Sequence, residues 1–391
     1  MQNGFGVAVV SCAHEPSIDD PEALLERWHG RRGWADAVAE AGADAVAVVQ
    51  RFRKDVVLRR GKVVYHFVAS DERRTATLWG TRVVGAVRAL DPTVVHVDGL
   101  VFPALVRHLR LLLPDRTAIV VQDHGGIHAN SSLFRSWGRR FFHAAGLRAA
   151  DGFLFTAREQ AVPWQRARII GRSQTIYEVP ESSTDMGQAP HVLRGEARPL
   201  PGRPALLWVG RLNANKDPLT VLRGFEATVR SLPEAELTFV YHDQEILSAV
   251  RARVADSALL RPRVHLRGAV DRGALAPLYA GADLFVLGSH HEGSGYALLE
   301  ALSFGVTPVV TDIPSFRALT GGGRVGALFR PGDDQELADA LVRLGNTDLA
   351  ARRLAVRAHF DQELDWSAVG RKALETYRSA AIARNRSSRA R

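Results

Sequence analysis

The sequence predicts an α/β protein with two doubly wound parallel sheets. Short apolar runs of strand length alternate with helical patterns along the chain, and no internal repeat is present. A stretch rich in Pro, Gly and polar residues, 181–204, separates two such series. The chain has 391 residues, of which 46% are hydrophobic, so it is long enough for two domains with separate cores.

The first half contains six apolar segments with helical patterns between several of them. We expect strands at Val7 to Ser11, Ala45 to Val49, Val63 to Val68, Thr93 to Val97, Thr117 to Gln122 and Gly152 to Thr156. This half is predicted to form one domain over residues 1–185, followed by a linker over 186–203.

The second half restarts the same alternation and is predicted to form a domain over residues 204–365. We expect its strands at Ala205 to Val209, Glu236 to Tyr241, Val264 to Leu266, Leu284 to Leu287 and Thr307 to Val310. Amphipathic helices should follow at Asp334 to Leu344, Leu349 to Phe360 and Trp366 to Arg378. Two such domains in tandem are expected to face a central cleft and to bind their ligand there.

A Gly-rich loop joins the predicted strand at Leu284 to Leu287 to the next helix. Ligands of parallel sheets bind at the carboxyl ends of strands, and this loop lies at such an end. The small side chains of Gly293, Ser294 and Gly295 let backbone N–H groups approach an anion at the start of a helix near Tyr296. The loop is therefore predicted to bind a pyrophosphate.

Two carboxylates bracket this helix. Glu292 lies in the loop and Glu300 follows eight residues later, which separates them by roughly 12 Å if both were helical. A hydrolytic pair needs a separation of about 5 to 9.5 Å, so the two are better suited to binding different hydroxyl groups of one extended ligand. Either carboxylate alone would more often be a solvated group, and it is their occurrence beside the Gly loop that favours a binding role.

A second candidate loop follows the first strand of the second half. It begins at Gly210, carries Arg211 and Lys216, and ends at Asp217 and Pro218, which are typical of a helix start. A guanidinium and an ammonium at a strand's carboxyl end could hold the two phosphates of one ligand. The alternative, that both are solvated surface groups, is as frequent for such residues taken alone.

Composition restricts the remaining function classes. The net charge of +9 invites a nucleic-acid or membrane-surface role, but the arginines are scattered pairs without zinc-finger or RNP-like patterns, so we expect no nucleic-acid partner. Peripheral contact with a membrane stays open. The single cysteine, Cys12, cannot form an intramolecular disulfide, and no apolar run approaches about 20 residues, so we expect a cytoplasmic protein.

Residues 205 to 345 resemble the donor-binding half of the retaining GT-B glycosyltransferases of glycosyltransferase family 4 (group 1). The resemblance rests on a Gly-Arg-Leu loop ending in Lys, and on a Glu-x(7)-Glu element, which match Gly210, Arg211, Leu212, Lys216, Glu292, Gly293, Glu300, Ala301 and Gly305. It implies that Arg211 and Lys216 contact the donor pyrophosphate, that Glu292 binds the donor sugar and that Glu300 binds the ribose. It also implies that the loop from Arg267 lies near the nucleobase.

In the first half the resemblance is looser and rests mainly on strand order. His124, after the strand ending at Gln122, resembles the position where similar enzymes place a histidine near the donor sugar and its leaving phosphate. A capping or core histidine is the competing interpretation.

His14 and Glu15 could border the acceptor site. Similar folds return the last helix to the first domain, so residues 366–391 are expected to contain that helix, with Trp366 and Tyr377 as packing anchors between domains. The composition of the basic tail from Arg384 to Arg391 predicts that it is disordered.

The resemblance therefore implies a metal-independent retaining glycosyltransferase without a cofactor. It would move a sugar from a nucleoside diphosphate to a sugar, lipid, natural-product or thiol acceptor, with His124, Arg211, Lys216 and Glu292 as the catalytic group. Two other classes stay open: a nucleotide-sugar epimerase, and a non-catalytic protein that binds a nucleotide-sugar or a glycan. The donor sugar, the base, the acceptor and the oligomeric state are not determined by the sequence.

Overall fold

The computed structural model describes residues 4–13, 15–69, 81–125, 131, 134, 136–188 and 200–389. The predicted site residue His14 and much of the predicted linker lie outside these residues. The chain divides into two compact units, the first formed by Met1–Ser182 with Trp366–Arg391 and the second by Ser183–Asp365. No helix in the described part of the chain is long and apolar enough to cross a membrane.

The first unit is built on an eight-stranded sheet. Its strands, over the described residues, are β1 (Gly6–Ser11), β2 (Ala45–Phe52), β3 (Val56–Arg60), β4 (Val63–Ala69), β5 (Val94–Asp98), β6 (Ala118–Gln122), β7 (Gly152–Phe155) and β8 (Thr175–Glu178). They are ordered β3-β4-β2-β1-β5-β6-β7-β8, and only the β3–β4 pair is antiparallel. Its helices are α1 (Pro21–Arg27), α2 (His29–Glu40), α3 (Thr81–Leu90), α4 (Pro103–Leu112), α5 (Trp137–Leu147) and α6 (Val162–Arg166).

The second unit contains a six-stranded, fully parallel sheet in the order β11-β10-β9-β12-β13-β14. Its described strands are β9 (Ala205–Gly210), β10 (Glu236–Tyr241), β11 (Val264–Gly268), β12 (Leu284–Leu287), β13 (Thr307–Thr311) and β14 (Ala327–Phe329). Its helices are α7 (Pro218–Thr228), α8 (Leu247–Ala255), α9 (Arg272–Gly281), α10 (Tyr296–Ser303), α11 (Pro314–Leu319), α12 (Asp334–Gly345) and α13 (Leu349–Glu363).

Both sheets are doubly wound, and the predicted α/β class with two Rossmann-like halves is confirmed. Strand order reverses between β1 and β5 in the first sheet and between β9 and β12 in the second. At such a point the connections leave in opposite directions and open a crevice at the carboxyl ends of the two strands. The central strands are apolar on both faces, as a parallel sheet covered by helices requires.

Three short strands, β3, β8 and β14, were not predicted. The apolar pattern is weak in all three, because β3 is half exposed and β8 and β14 have only four and three residues. Pairing with a neighbouring strand stabilises them in place of a strong local preference.

The last helix, α14 (Trp366–Arg389), belongs to the first unit and packs against α2. The prediction of a disordered tail from Arg384 is wrong for residues 384–389, which continue this helix. Arg384 is the reason, because its Nε atom donates to the carbonyl of Asp115 at 2.6 Å and its Nη1 atom lies 3.6 Å from Asp151. Trp366 and Tyr377 make their described contacts with Gly33, Trp34 and His96 of the same unit.

The helix pair α2–α14 gives a stability prediction. A Cβ atom on Gly370 of α14 would lie 2.3 Å from the carbonyl oxygen of Ala37, so Gly370→Ala should force the helices apart and destabilise the protein by about 1–3 kcal/mol. A Cβ atom on Gly85 of α3 would meet no other atom within 4 Å, so Gly85→Ala should stabilise by up to about 1 kcal/mol. Thermal unfolding followed by circular dichroism measures both changes. Shifts of the same sign would contradict the packing described for α14.

Candidate active site

The two motifs of the second half follow the two strands at which the second sheet reverses. β9 pairs in parallel with β12, with Leu206 opposite Leu284. The loop from Gly210 leaves the carboxyl end of β9, and the loop from Gly288 leaves the carboxyl end of β12. Sequence positions about 80 residues apart are thus brought to one crevice, which is the usual ligand position in this type of sheet.

The loop after β9 is held by its own polar groups. Asn213 Oδ1 accepts a hydrogen bond from the Lys216 N–H at 3.1 Å, and Leu212 is fully buried beneath the loop. Asp217 adopts a left-handed conformation and caps α7 by accepting from the Thr220 N–H at 3.1 Å. Arg211 is exposed, and no hydrogen bond or ion pair engages its guanidinium within the described residues.

Backbone contacts join this loop to the one after β12. The His290 N–H donates to the carbonyl of Asn215 at 2.8 Å, and the Asn215 side chain donates to the carbonyl of His291 at 2.9 Å. A Cβ atom on Gly288 would lie 2.9 Å from the carbonyl oxygen of Asp217, so only glycine permits this approach. The two loops therefore form one structure.

An ion pair between Lys216 and Glu292 also connects the two loops. Nζ of Lys216 contacts Oε1 of Glu292, and the two side chains are only 12% and 13% exposed. Beside it, Nε2 of His290 lies 3.1 Å from Oδ2 of Asp217. A nearly buried pair of this kind is costly to break unless another group replaces the lost partner.

The start of α10 completes the crevice. Gly295 has a φ of 66° and lies against Phe316, whose ring would be 2.6 Å from a Cβ atom, so this turn needs glycine. Gly295 is the N-cap residue of the helix and has no side chain with which to cap it. Ser294 is buried and Tyr296 is 44% exposed. The positive end of the helix dipole therefore points to the same edge as Arg211 and Lys216.

Glu300 lies on the same helix but is more buried than the sequence suggests. The Tyr279 hydroxyl donates to its Oε2 atom at 2.9 Å. Burial raises the pKa of Glu300, and the hydrogen bond from Tyr279 and the charge of Arg272 oppose that rise. Arg267 lies on the edge strand β11, immediately before Gly268 with its positive φ of 72°.

In the first unit, His124 lies between two carboxylates. Its Nδ1 atom is 2.8 Å from Oε1 of Glu181, and its Nε2 atom contacts Oδ1 of Asp98. Asp98 is the last residue of β5, at the reversal point of this sheet, and its other oxygen accepts from Nε of Arg31 at 2.7 Å. We name Arg31, Asp98, His124 and Glu181 the imidazolium cluster. Both nitrogens of His124 are thus engaged, so it can contact a ligand only after exchanging one partner.

The charges of the cluster follow from this geometry. Burial alone would raise the pKa of Asp98, but Arg31 and His124 hold it well below its ordinary value. Burial would likewise lower the pKa of His124, but Asp98 and Glu181 outweigh it and raise that pKa well above its ordinary value. The ring is therefore an imidazolium at neutral pH. The neighbouring Asp123 has a pKa raised to about 7, mainly by burial and next by the charge of Glu181.

A buried, neutral histidine, His96, lies on the same strand as Asp98 of the cluster. His96, on β5, is 1% exposed, and its Nδ1 atom lies 2.6 Å from the Tyr377 hydroxyl, which also accepts from Nε1 of Trp34 at 2.8 Å. Burial lowers the pKa of His96 to about 3, so it stays uncharged. His96 is therefore a core histidine. His124 differs from His96 because it lies between two carboxylates and is charged. Glu15 accepts a hydrogen bond from the Ser17 hydroxyl at 2.9 Å, apart from this cluster.

Similar proteins agree with the two-sheet fold. Residues 203–347 match the family described as Glycosyl transferases group 1. Over 314 residues, 76% of each chain, the sequence is 29% identical to the GDP-mannose:cellobiosyl-diphosphopolyprenol alpha-mannosyltransferase of Xanthomonas campestris. The fold matches a glycosyltransferase from Rickettsia africae with a TM-score of 0.69 at 14% identity, covering 97% of this chain and 99% of that one. Sucrose-phosphate synthase from Thermosynechococcus elongatus gives a TM-score of 0.64 at 19% identity with the same coverage.

The chain is a GT-B glycosyltransferase. The predicted fold class and the predicted resemblance to GT-B glycosyltransferases are confirmed, and the use of a nucleotide-sugar donor is supported. Of the predicted site residues in the second half of this glycosyltransferase, the structure brings Gly210, Arg211, Lys216, Glu292, Gly293, Ser294, Gly295, Tyr296 and Glu300 to the two strands at which the sheet reverses or to the helix that follows.

Several residues that contact the candidate site residues were not predicted from the sequence. Tyr279, which holds Glu300, belongs to a helix with no pattern that indicates a ligand. Arg31, Asp98 and Glu181 are far apart in the sequence, and each resembles a surface charge when taken alone. One signal was available for Asp98, because a carboxylate directly after the apolar run Val94 to Val97 lies at the carboxyl end of a strand.

The imidazolium cluster gives a pH prediction. Because the pKa of His124 is raised in the folded state, its stabilising contribution is complete below the unfolded value of about 6.5 and is lost as the pH rises through the folded value. The melting temperature of the wild type should therefore exceed that of His124→Gln most at about pH 6, and the gap should narrow toward about pH 10. Replacement of the exposed His242 by Gln is the control. A gap that stays constant or widens with pH would contradict an imidazolium at His124.

Proposed function

We propose that this chain is a retaining transferase of glycosyltransferase family 4 that moves a sugar from a nucleoside-diphosphate-sugar to an acceptor. The observation that carries the proposal is the joined pair of loops after β9 and β12, with two cations and a helix start at one sheet reversal. That combination suits a ligand with two adjacent phosphates and a polar sugar.

The ion pair suggests how the donor enters. Without ligand, Lys216 is neutralised by Glu292. We propose that the diphosphate replaces the carboxylate as the partner of Lys216, while the exposed Arg211 binds the same phosphates as a planar fork. Glu292 is then released to accept hydrogen bonds from the sugar hydroxyls. After the exchange, Lys216 and Glu292 each have a polar partner again. Most of the free-energy cost of separating the ion pair is therefore offset.

The other proposed donor contacts follow from the order in which side chains and backbone groups lie along the carboxyl edge of the second sheet. We propose that the backbone from Gly293 to Gly295 and the start of α10 face the phosphates. Glu300, positioned by Tyr279, is proposed to bind the ribose through its remaining acceptor capacity. Arg267 and the turn at Gly268 are proposed to lie beside the base.

The chemistry proposed is electrostatic. As the bond between the sugar and the phosphate lengthens, negative charge grows on the leaving diphosphate, and Arg211, Lys216 and the helix start stabilise that charge. The leaving oxygen then takes the proton of the acceptor hydroxyl on the same face of the sugar, which gives retention. The two side-chain cations supply this stabilisation, so we propose that a metal ion is not required. His124 is proposed to donate a hydrogen bond at the reacting centre once it exchanges one carboxylate partner.

A lipid-linked saccharide is the acceptor class to examine first. The name of the Xanthomonas relative specifies GDP-mannose as donor and a cellobiosyl-diphosphopolyprenol as acceptor. The aligned part includes three quarters of this chain, so we propose a GDP-linked hexose and a diphosphate-linked lipid saccharide as the starting pair. Residues Glu15 and His14 stay candidates for contact with the acceptor.

Glu292→Ala separates a transferase from a binding protein. The variant should lose roughly 100-fold in transfer rate, because the carboxylate positions the reacting sugar, while its donor affinity changes far less since Arg211 and Lys216 still hold the phosphates. Transfer is measured with the radiolabelled donor, donor binding by calorimetry, and the anomeric configuration of the product by NMR. Glu245→Ala, an exposed carboxylate of the same unit, is the control.

Three results would overturn the assignment. Donor binding without any transfer in the wild type would favour the non-catalytic alternative. Conversion of the donor to an isomeric nucleotide-sugar without acceptor would favour an epimerase. An inverted product would remove the retaining mechanism while leaving the transferase in place.

A further inference from the structure

Helix α5 exposes aromatic side chains that its own unit does not cover. Trp137, Phe141 and Phe142 are 79%, 60% and 55% exposed. Among the large hydrophobic residues exposed in the described ranges, the only other aromatic one is Tyr296, which lies at the donor site. Soluble surfaces rarely present such a group of large apolar side chains unless they bind something.

The aromatic residues form one face of the helix. At about 100° per residue, Trp137, Phe141 and Phe142 fall within an arc of about 140°. The rings of Trp137 and Phe141 stack with centroids 5.8 Å apart and an interplanar angle of 20°. We name the three residues the aromatic face. His143 and Leu147 fall on the opposite side of the helix and are buried, so α5 packs inward with one side and presents the aromatic face on the other.

The helix cannot turn this face toward its own core. Gly146, on the inner side, approaches α4 so closely that a Cβ atom would lie 2.4 Å from the carbonyl oxygen of Pro103. Leu147 is fully buried, and His143 packs edge-on against the ring of Phe134 with centroids 4.9 Å apart. The inner contacts therefore fix the rotation of α5, and the aromatic face stays outside.

Positive charge surrounds the aromatic face. Arg139 and Arg140 fall at its two edges and Arg148 at its carboxyl-terminal end, and all three are exposed. The helix and its two caps, residues 136–148, contain no acidic residue. Within the part of the chain that the structure describes, no carboxylate pairs with Arg139 or Arg148. Aromatic rings flanked by arginines are the composition of a helix that lies in the interface of an anionic bilayer.

We propose that α5 docks this chain onto an anionic membrane surface. The aromatic face would enter the boundary between headgroups and acyl chains, with the helix axis parallel to the surface, while Arg139, Arg140 and Arg148 contact lipid phosphates. Charge complementarity selects this occupant over a second copy of the chain, because two copies facing each other here would bring six arginines together without a carboxylate from either helix.

Vesicle co-sedimentation tests the proposal. The full chain should bind vesicles of phosphatidylcholine mixed with phosphatidylglycerol, and bind vesicles of phosphatidylcholine alone more weakly. Phe141→Ala with Phe142→Ala should weaken binding by about tenfold or more, because two exposed rings are removed from the apolar contact. Leu354→Ala, a substitution at a residue that is 74% exposed in the second unit, is the matched apolar control and should bind as the wild type does.

The arginines are tested separately. Arg139→Gln with Arg148→Gln should weaken binding to the anionic vesicles and reduce its salt dependence, whereas the same charge change at the exposed Arg230 and Arg251 of the second unit should have a smaller effect. Brominated lipid should quench the fluorescence of the wild type more than that of Trp137→Phe, although both bind. That difference requires Trp137 itself to enter the lipid.

The proposal fails if the wild type does not bind anionic vesicles, or if the Phe141 and Phe142 variant binds them as well as the wild type. It also fails if light scattering shows a wild-type dimer that the same variant converts to a monomer without any vesicle binding, because a second copy would then cover the aromatic face. Circular dichroism and melting temperature confirm that each variant is folded before it is compared.

Discussion

The ion pair between Lys216 and Glu292 is the interaction on which the proposed donor site depends. It joins the loops after β9 and β12, and the two side chains are nearly buried, so neither charge is stable there without a partner. The hydrogen bonds from the His290 N–H to Asn215 and from the Asn215 side chain to His291 hold the loops in place around it. The loops are therefore fixed before a ligand binds, which favours the proposed replacement of the carboxylate by a diphosphate.

The first unit also has charged residues at the reversal point of its sheet, but they are arranged differently from those of the second unit. Its sheet reverses between β1 and β5, and the carboxylate that ends β5 is neutralised by Arg31 on one side and by His124 on the other. A histidine with two carboxylate partners holds its proton strongly. The raised pKa of His124 therefore favours a role as a positive charge and hydrogen-bond donor over a role as a general acid or base. On the same strand as Asp98, the neutral His96 contacts Tyr377 of α14.

Much of the fold, and the position in it of the candidate donor-site residues, could be predicted because the signals are local. Strands buried on both faces are continuous apolar runs, and Glu236–Tyr241 and Leu284–Leu287 have the bounds that the sequence predicts. The donor motifs each lie within one strand-loop-helix segment. The imidazolium cluster could not be predicted as a whole, because Arg31, Asp98 and Glu181 meet only when strands distant in sequence become neighbours. The order of residues 384–389 was missed for the same reason, since it depends on contacts with Asp115 and Asp151.

Calorimetric titration with nucleoside diphosphates, without added metal, tests the central claim most directly. The wild type and the Arg211→Ala and Arg230→Ala variants would each be titrated with GDP, UDP, ADP and dTDP. We expect one nucleotide to bind the wild type, Arg211→Ala to weaken this binding by about tenfold or more through loss of a charge-assisted contact, and Arg230→Ala to leave it unchanged. Equal affinity of the wild type and Arg211→Ala, or binding of no nucleotide, would contradict a diphosphate site at the joined loops.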